Sequence, residues 1–448
     1  MQEVLSEGQV RSGQLIDGAA ETPFQSCTLT YERRQGPHLS VPYVLGEAQF
    51  AAVEQWFEQQ QPPPSLIFSD NKGTVTLTGL RWLGHGGLNL KLGRLGADVA
   101  IYGQPRQLKF EYKLQKVQSR IDGLHEFARF RSIKEDDGPR GQNGRITVTV
   151  EAKEKLVWRH GGFTFTIRAS APWTITSGEN FTARAGAVLE TSKYRGATMN
   201  EHITAQWPIR ALLILTHGQK LFWREHHVLD KQFPTWMLSG LARDPEYLPT
   251  QFRRTLRDAE EPEPLEPIGP FSMFRLSDVG TRGLRKWIEL YQDPIIRRAI
   301  EPVVEVINGA SAFLEPQLMM TVLGLEAMGH YRDPKRARNV ALFKQIERCL
   351  AAADVDLSAI GPVTGIAKAI ANANNNVKHP DRPNRPDSVE LRLMVDLATI
   401  ISRLQLFDLL SLPEKLKASF IRSRDVHRAI GAFDLNRVSV NADGSLTR

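Results

Sequence analysis

Apolar and polar residues alternate with period two in GTVTLTGLRWLG (73–84), QLKFEYKLQKV (107–117), GRITVTVEAKEKLVW (144–158) and GGFTFTIRAS (161–170). That is the spacing of strands with one buried face, and the Gly and Pro clusters between them supply turns. GEAQFAAVEQWFEQQQ (46–61) departs from it: Phe50, Val53, Trp56 and Phe57 recur at helical spacing before a run of prolines. The pattern predicts a β-rich N-terminal domain over 1–195 with at least one packed helix. A mixed connecting region is expected over 196–257, where ITAQWPIRALLILTHG (203–218) reads as a helix stopped by Gly218 and KLFWREHHVLD (220–230) as extended. DAEEPEPLEPIGP (258–270) is too acidic and proline-rich to bury apolar surface, so 258–276 reads as a linker.

Beyond it the period becomes helical. SDVGTRGLRKWIELYQ, IIRRAIEPVVEVINGA, FLEPQLMMTVLGLEAMGHY and RNVALFKQIERCLAAAD precede the longest run, DSVELRLMVDLATIISRLQLFDLLSL (387–412). There Leu393, Leu397, Ile400, Leu404 and Phe407 form an apolar stripe, while Arg392, Asp396, Thr399 and Arg403 line another face. Asp387 or Ser388 can cap its start. The expected fold is α+β and multidomain: the β-rich domain followed by an all-α helical bundle over 277–435, with 436–448 as a C-terminal tail.

Composition narrows the classes. The 448 residues, 41% hydrophobic and 24% charged, are those of a globular chain with room for two or three domains. A net charge of +7 mildly favours a polyanionic partner. Cys27 and Cys349 alone cannot build a disulfide framework or a cysteine-based zinc site. The start of the chain lacks a secretory pattern and no stretch has the apolar length of a membrane span, so the expectation is a cytoplasmic protein with no membrane partner. Adjacent histidines in EHHVL (225–229) would point to opposite faces of a strand, which argues against a metal pair.

The candidate chemistry lies in NANNNVKHPDRPNRPD (372–387), between two helical runs. Pro380 disfavours helical backbone at His379, so the imidazole is expected where a helix ends, and unpaired carbonyls there favour a cation. Lys378, Arg382 and Arg385 add positive charge, and the Asn side chains add donors. Such a mouth suits phosphates, although an Asn- and Pro-rich basic loop also reads as an ordinary solvated connector. Glu326 continues the row Leu318–Val322, and a carboxylate at the edge of a buried face generally needs a partner.

The order of these features resembles that of the ApeA-like anti-phage proteins, in which a β-rich domain precedes a HEPN domain. The resemblance lies in LTYERRQGPHLSVPY, AQFAAVEQWFE and SDNKGTVTLTG, then in FLEPQLMMTVLGLEAMGHY followed by NNNVKH and a long final helix. It implies a HEPN ribonuclease of abortive infection that needs no metal or other cofactor, the ribose 2′-hydroxyl attacking the adjacent phosphate. RNA would be the substrate, with tRNA a candidate. Helical domains would pair as a homo-oligomer, and the β-rich domain would answer to a phage-derived trigger. In the family's Arg–polar–His motif the histidine maps to His379, the polar residue to Asn375 and the arginine to Asn374, a departure from the pattern. On this mapping His379 transfers protons, Asn374 and Asn375 hold phosphate or ribose oxygens, and Lys378 offsets charge. Arg382 and Arg385 bind RNA, and Glu326 orients His379 or pairs with a cation. Because a neutral amide replaces a guanidinium, the alternative is a HEPN module that binds RNA or protein without cutting. A carbohydrate-binding or scaffolding β domain is a third reading, to be marked by an aromatic-lined cleft in the sheet.

Overall fold

The computed structural model of the chain describes residues 4–17, 23–32, 35–136, 147–176, 180–237, 239–259, 272–334, 340–379, 381 and 385–448. Contacts divide it into two compact units: 1–125 with 130–206 and 222–266, and 126–129 with 207–221 and 267–448. The helices are α1 (Ala51–Phe57), α2 (Leu124–Ala128), α3 (Met199–His217), α4 (Leu256–Ala259), α5 (Leu276–Gln292), α6 (Pro294–Ile307), α7 (Leu314–Arg332), α8 (Leu342–Ala353), α9 (Val363–Lys378), α10 (Ser388–Leu410), α11 (Glu414–Ile421) and α12 (Arg424–Leu435).

The first unit is built on one antiparallel sheet. From edge to edge it runs Lys155–His160, Phe163–Ser170, Gly186–Ala197, Leu114–Ile121, Trp223–Leu229, Leu248–Phe252, Val99–Ile101, Gly73–Thr78, Ser65–Asp70, Val10–Ile16, Pro23–Glu32, Gly36–Tyr43, Lys91–Gly96 and Arg81–Gly86. Its alternating apolar positions form a core in which Leu29, Leu39, Val41, Phe68, Val75 and Leu77 are buried. Helix α1 closes that core with Val53, Trp56 and Phe57, Phe57 stacking on Tyr43 at 5.4 Å between ring centroids. Each such side chain contributes roughly 1.5–3 kcal/mol.

Three strand expectations shift. The run 73–84 is broken at Gly79, whose φ of +64° permits a turn few other residues would accept. The strand expected at 107–117 is Leu114–Ile121. Residues 147–158 divide into Thr147–Val150 and Lys155–His160, because Glu151, Lys153 and Glu154 interrupt the alternation. The connecting region 196–257 is not separate: Trp223–Leu229 and Leu248–Phe252 complete the sheet, while residues 207–221 belong to the helical unit. Of the expected linker, residues 260–271 lie outside the described residues.

In the helical unit α10 is central, packing on α5–α9, α11 and α12. Its expected stripe, Leu393, Leu397, Ile400, Leu404 and Phe407, is buried. Asp387 caps it in a reciprocal box with Glu390, each side chain accepting from the other residue's backbone N–H. Residues 436–448 are no loose tail. They form a short hairpin, Ser439–Val440 with Leu446–Thr447, whose Val440 N–H donates to the Ile360 carbonyl at 2.8 Å. Among the described residues no helix is long and apolar enough to cross a membrane.

Candidate functional site

Helix α9 carries the segment of interest. Its small residues, Gly365, Ala367, Ala369, Ala371 and Ala373, are buried, and α9 packs against α7, α8 and α10. A Cβ at Gly365 would stand 2.2 Å from the Asn441 carbonyl oxygen, so this helix and the C-terminal hairpin touch backbone to backbone. The helix ends at Lys378. His379 is its cap, in extended conformation (φ −115°, ψ 95°), with its N–H donating to the Asn375 carbonyl at 3.0 Å. Both the imidazole of His379 and the Lys378 side chain are exposed, and Asn375 is half-buried.

Two expected members of the site stand elsewhere. Asn374, at the position of the motif arginine, is fully buried, and its amide oxygen and nitrogen have no hydrogen-bond partner among the described residues. It faces the interior of the helical unit and does not reach a phosphate from there. Glu326 is exposed, not at the edge of the core. Each four-residue step advances about 40° around a helix; two steps from buried Leu318 carry the carboxylate off the buried face. Helix α7 does pack beside α9, yet no bond joins Glu326 to His379. Arg385 is exposed and its guanidinium lies 2.5 Å from the Glu315 carboxylate, a surface pair of small energy. Arg382 lies outside the described residues, as do Lys335, Arg336 and Arg338 of the basic stretch after α7.

The polar face of α10 borders a different feature. Arg392, Asp396, Thr399 and Arg403 line a cleft of about 390 Å³, joined by Lys220 and by Arg428 of α12. Arg403 is nearly inaccessible: it donates to the Leu215 and Thr216 carbonyls at 2.8 and 3.3 Å and meets Asp425 at 3.0 Å. A Cβ at Gly218 would fall 2.4 Å from that guanidinium. The glycine that ends α3 is therefore also the space Arg403 occupies. Arg403 neutralises a helix C-terminus and is structural. Its neighbours come from distant segments, so no local motif announces the cleft.

In the sheet unit His226 is a satisfied core residue. Its ring nitrogens sit 2.8 Å from Ser119 Oγ and 2.7 Å from Thr255 Oγ1, and burial pushes it down to about 3. A cleft of about 510 Å³ there has exposed Phe110 and buried Tyr112 and Phe252 among its lining residues.

The described residues thus define an α+β protein, an antiparallel sheet unit and a mainly helical unit carried on one chain. No family model, curated protein or solved structure matches it.

Proposed function

We propose that the protein is a HEPN-type ribonuclease of antiviral defence, cleaving RNA by attack of the 2′-hydroxyl on the adjacent phosphate. The observation that carries this reading is the solvent-exposed imidazole of His379 at the end of α9, beside the exposed Lys378. An imidazole held in solvent at a helix end can take up and release protons between oxygens. Within one chain no second acid–base group bonds to His379 among the described residues. The working site is then composite, completed by the same segment of a second copy. Incubation with RNA in EDTA should give fragments with 2′,3′-cyclic phosphate ends, and His379→Ala should abolish them.

A second reading, a helical module that binds RNA without cutting it, is favoured by one specific observation: Asn374 is sealed in the interior where the family pattern places a cation. RNA held tightly but left intact, at concentrations where the protein is oligomeric, would favour that reading.

A further inference from the structure

The edge of the sheet unit carries a feature that the His379 site does not use. The hairpin Lys155–His160/Phe163–Ser170 turns through Gly161 and Gly162, both at positive φ, with nothing within 4 Å of an added Cβ. Across the next strands the register places Arg159 opposite Thr164, Thr164 opposite Ser192, and Ser192 opposite Lys116. Directly opposed residues share a face. One row across four strands therefore reads cation, hydroxyl, hydroxyl, cation.

Beside that row the ladder is interrupted. Pairing between Gly186–Ala197 and Leu114–Ile121 stops at Ser192–Lys116 and resumes at Ala197–Leu114, so Lys193, Tyr194, Arg195 and Gly196 stand opposite Gln115 alone. Gly196 closes the bulge at φ +72°, where a Cβ would sit 2.4 Å from the Lys113 carbonyl oxygen. A bulge re-aims side chains. Here it puts the Tyr194 ring into solvent at 97% exposure. The Lys193 ammonium lies 4.8 Å from the centroid of the Phe163 ring, a cation–π contact that positions it at the hollow. The result is an open depression of about 780 Å³ lined by Lys116, Arg159, His160, Phe163, Lys193 and Tyr194, with no carboxylate in its lining. Two of these cations meet acids that lie outside the lining: Lys116 is 3.9 Å from Glu190 and Lys193 is 3.7 Å from Glu201.

We infer that this depression binds single-stranded nucleic acid, Tyr194 stacking on a base while Arg159, Lys116 and Lys193 meet phosphates. An isolated exposed tyrosine would be unremarked; a tyrosine held out by a bulge between Lys193 and Arg195, beside a hollow lined by Lys116, Arg159 and Lys193 with no carboxylate, combines the two elements of sequence-tolerant strand binding. The surface belongs to the sheet unit and does not depend on His379.

The test uses full-length protein carrying His379→Ala, so that cleavage cannot consume the probe and the nuclease reading is not at stake. Fluorescence anisotropy would follow a labelled oligouridine and a duplex of equal length. Tyr194→Ala should weaken oligouridine binding by about 5- to 150-fold, and Tyr194→Phe should not. Loss of Arg159 or Lys116 to Ala should flatten the dependence of log K on log salt by about 0.7 for each phosphate contact. Phe110→Ala, at another exposed aromatic of the same unit, should leave binding unchanged. Wild-type-like affinity of Tyr194→Ala, equal binding of the duplex, or no binding of oligouridine would each overturn the inference. Thermal melts of the exposed-residue variants guard against misfolding.

Discussion

Replacing Asn374 by Leu tests where this side chain points. The two residues branch alike at Cγ, so the change removes two polar atoms with little change of shape. Both atoms are buried without partners among the described residues, and an unsatisfied buried polar group costs about 1–3 kcal/mol. Leu also favours helix over Asn by a few tenths of a kcal/mol. Asn374→Leu should therefore stabilise the helical unit by roughly 1–3 kcal/mol. At about 2–4 °C per kcal/mol for a unit of this size, the melting temperature should rise by roughly 2–12 °C. Asn374→Arg should do the reverse, since an unpaired charge in the interior costs several kcal/mol. Calorimetry on both variants, with RNA affinity measured alongside, gives the comparison. Loss of stability on going to Leu would show that the amide is bonded, and loss of RNA affinity with stability intact would show that it reaches substrate. Either result refutes the interior placement.

Other expectations follow from packing and charge. Gly93→Ala places a Cβ 2.2 Å from the buried Phe57 ring and should cost about 1–3 kcal/mol in a urea titration, whereas Gly86→Ala, with nothing within 4 Å, should be near neutral. Arg403→Leu leaves the Leu215 and Thr216 carbonyls without their donor and should cost about 1–3 kcal/mol for each carbonyl left unpaired, seen as a lower urea midpoint. Burial pushes His202 down to about 4 and His226 down to about 3, so as pH falls the unfolded chain takes up these protons first. Stability should be fullest above the ordinary histidine value of about 6.5 and decline toward pH 4, by up to about 1.4 kcal/mol per pH unit for each residue. Urea titrations from neutral to mildly acidic pH check the slope, which His202→Gln should make shallower if the protein still folds.

The helical half was legible because its signals are local. The α10 stripe, its Asp387 cap and the stop after Lys378 each follow from residues within a few positions of one another. The sheet half was legible as strands but not in its extents. Gly79 and the run 151–154 cut what looked continuous, and only long-range pairing shows that Trp223–Leu229 and Leu248–Phe252 belong to the same sheet. At the candidate site the sequence located the exposed His379 and the helix that ends there. It misjudged Asn374 and Glu326, because chain position does not fix which way a helical side chain turns once neighbouring helices pack around it. Lys193–Tyr194–Arg195 passed unremarked. Its meaning lies in a ladder mismatch with Gln115, a partner far away in the chain.

The most direct test of the ribonuclease account follows one end-labelled RNA over time in EDTA, with wild type and His379→Ala assayed for binding in the same samples. The account predicts that both proteins bind, that only the wild type shortens the RNA, and that its products end in cyclic phosphate. An RNA that both proteins bind and neither shortens, or one that His379→Ala cuts as fast as the wild type, would contradict it.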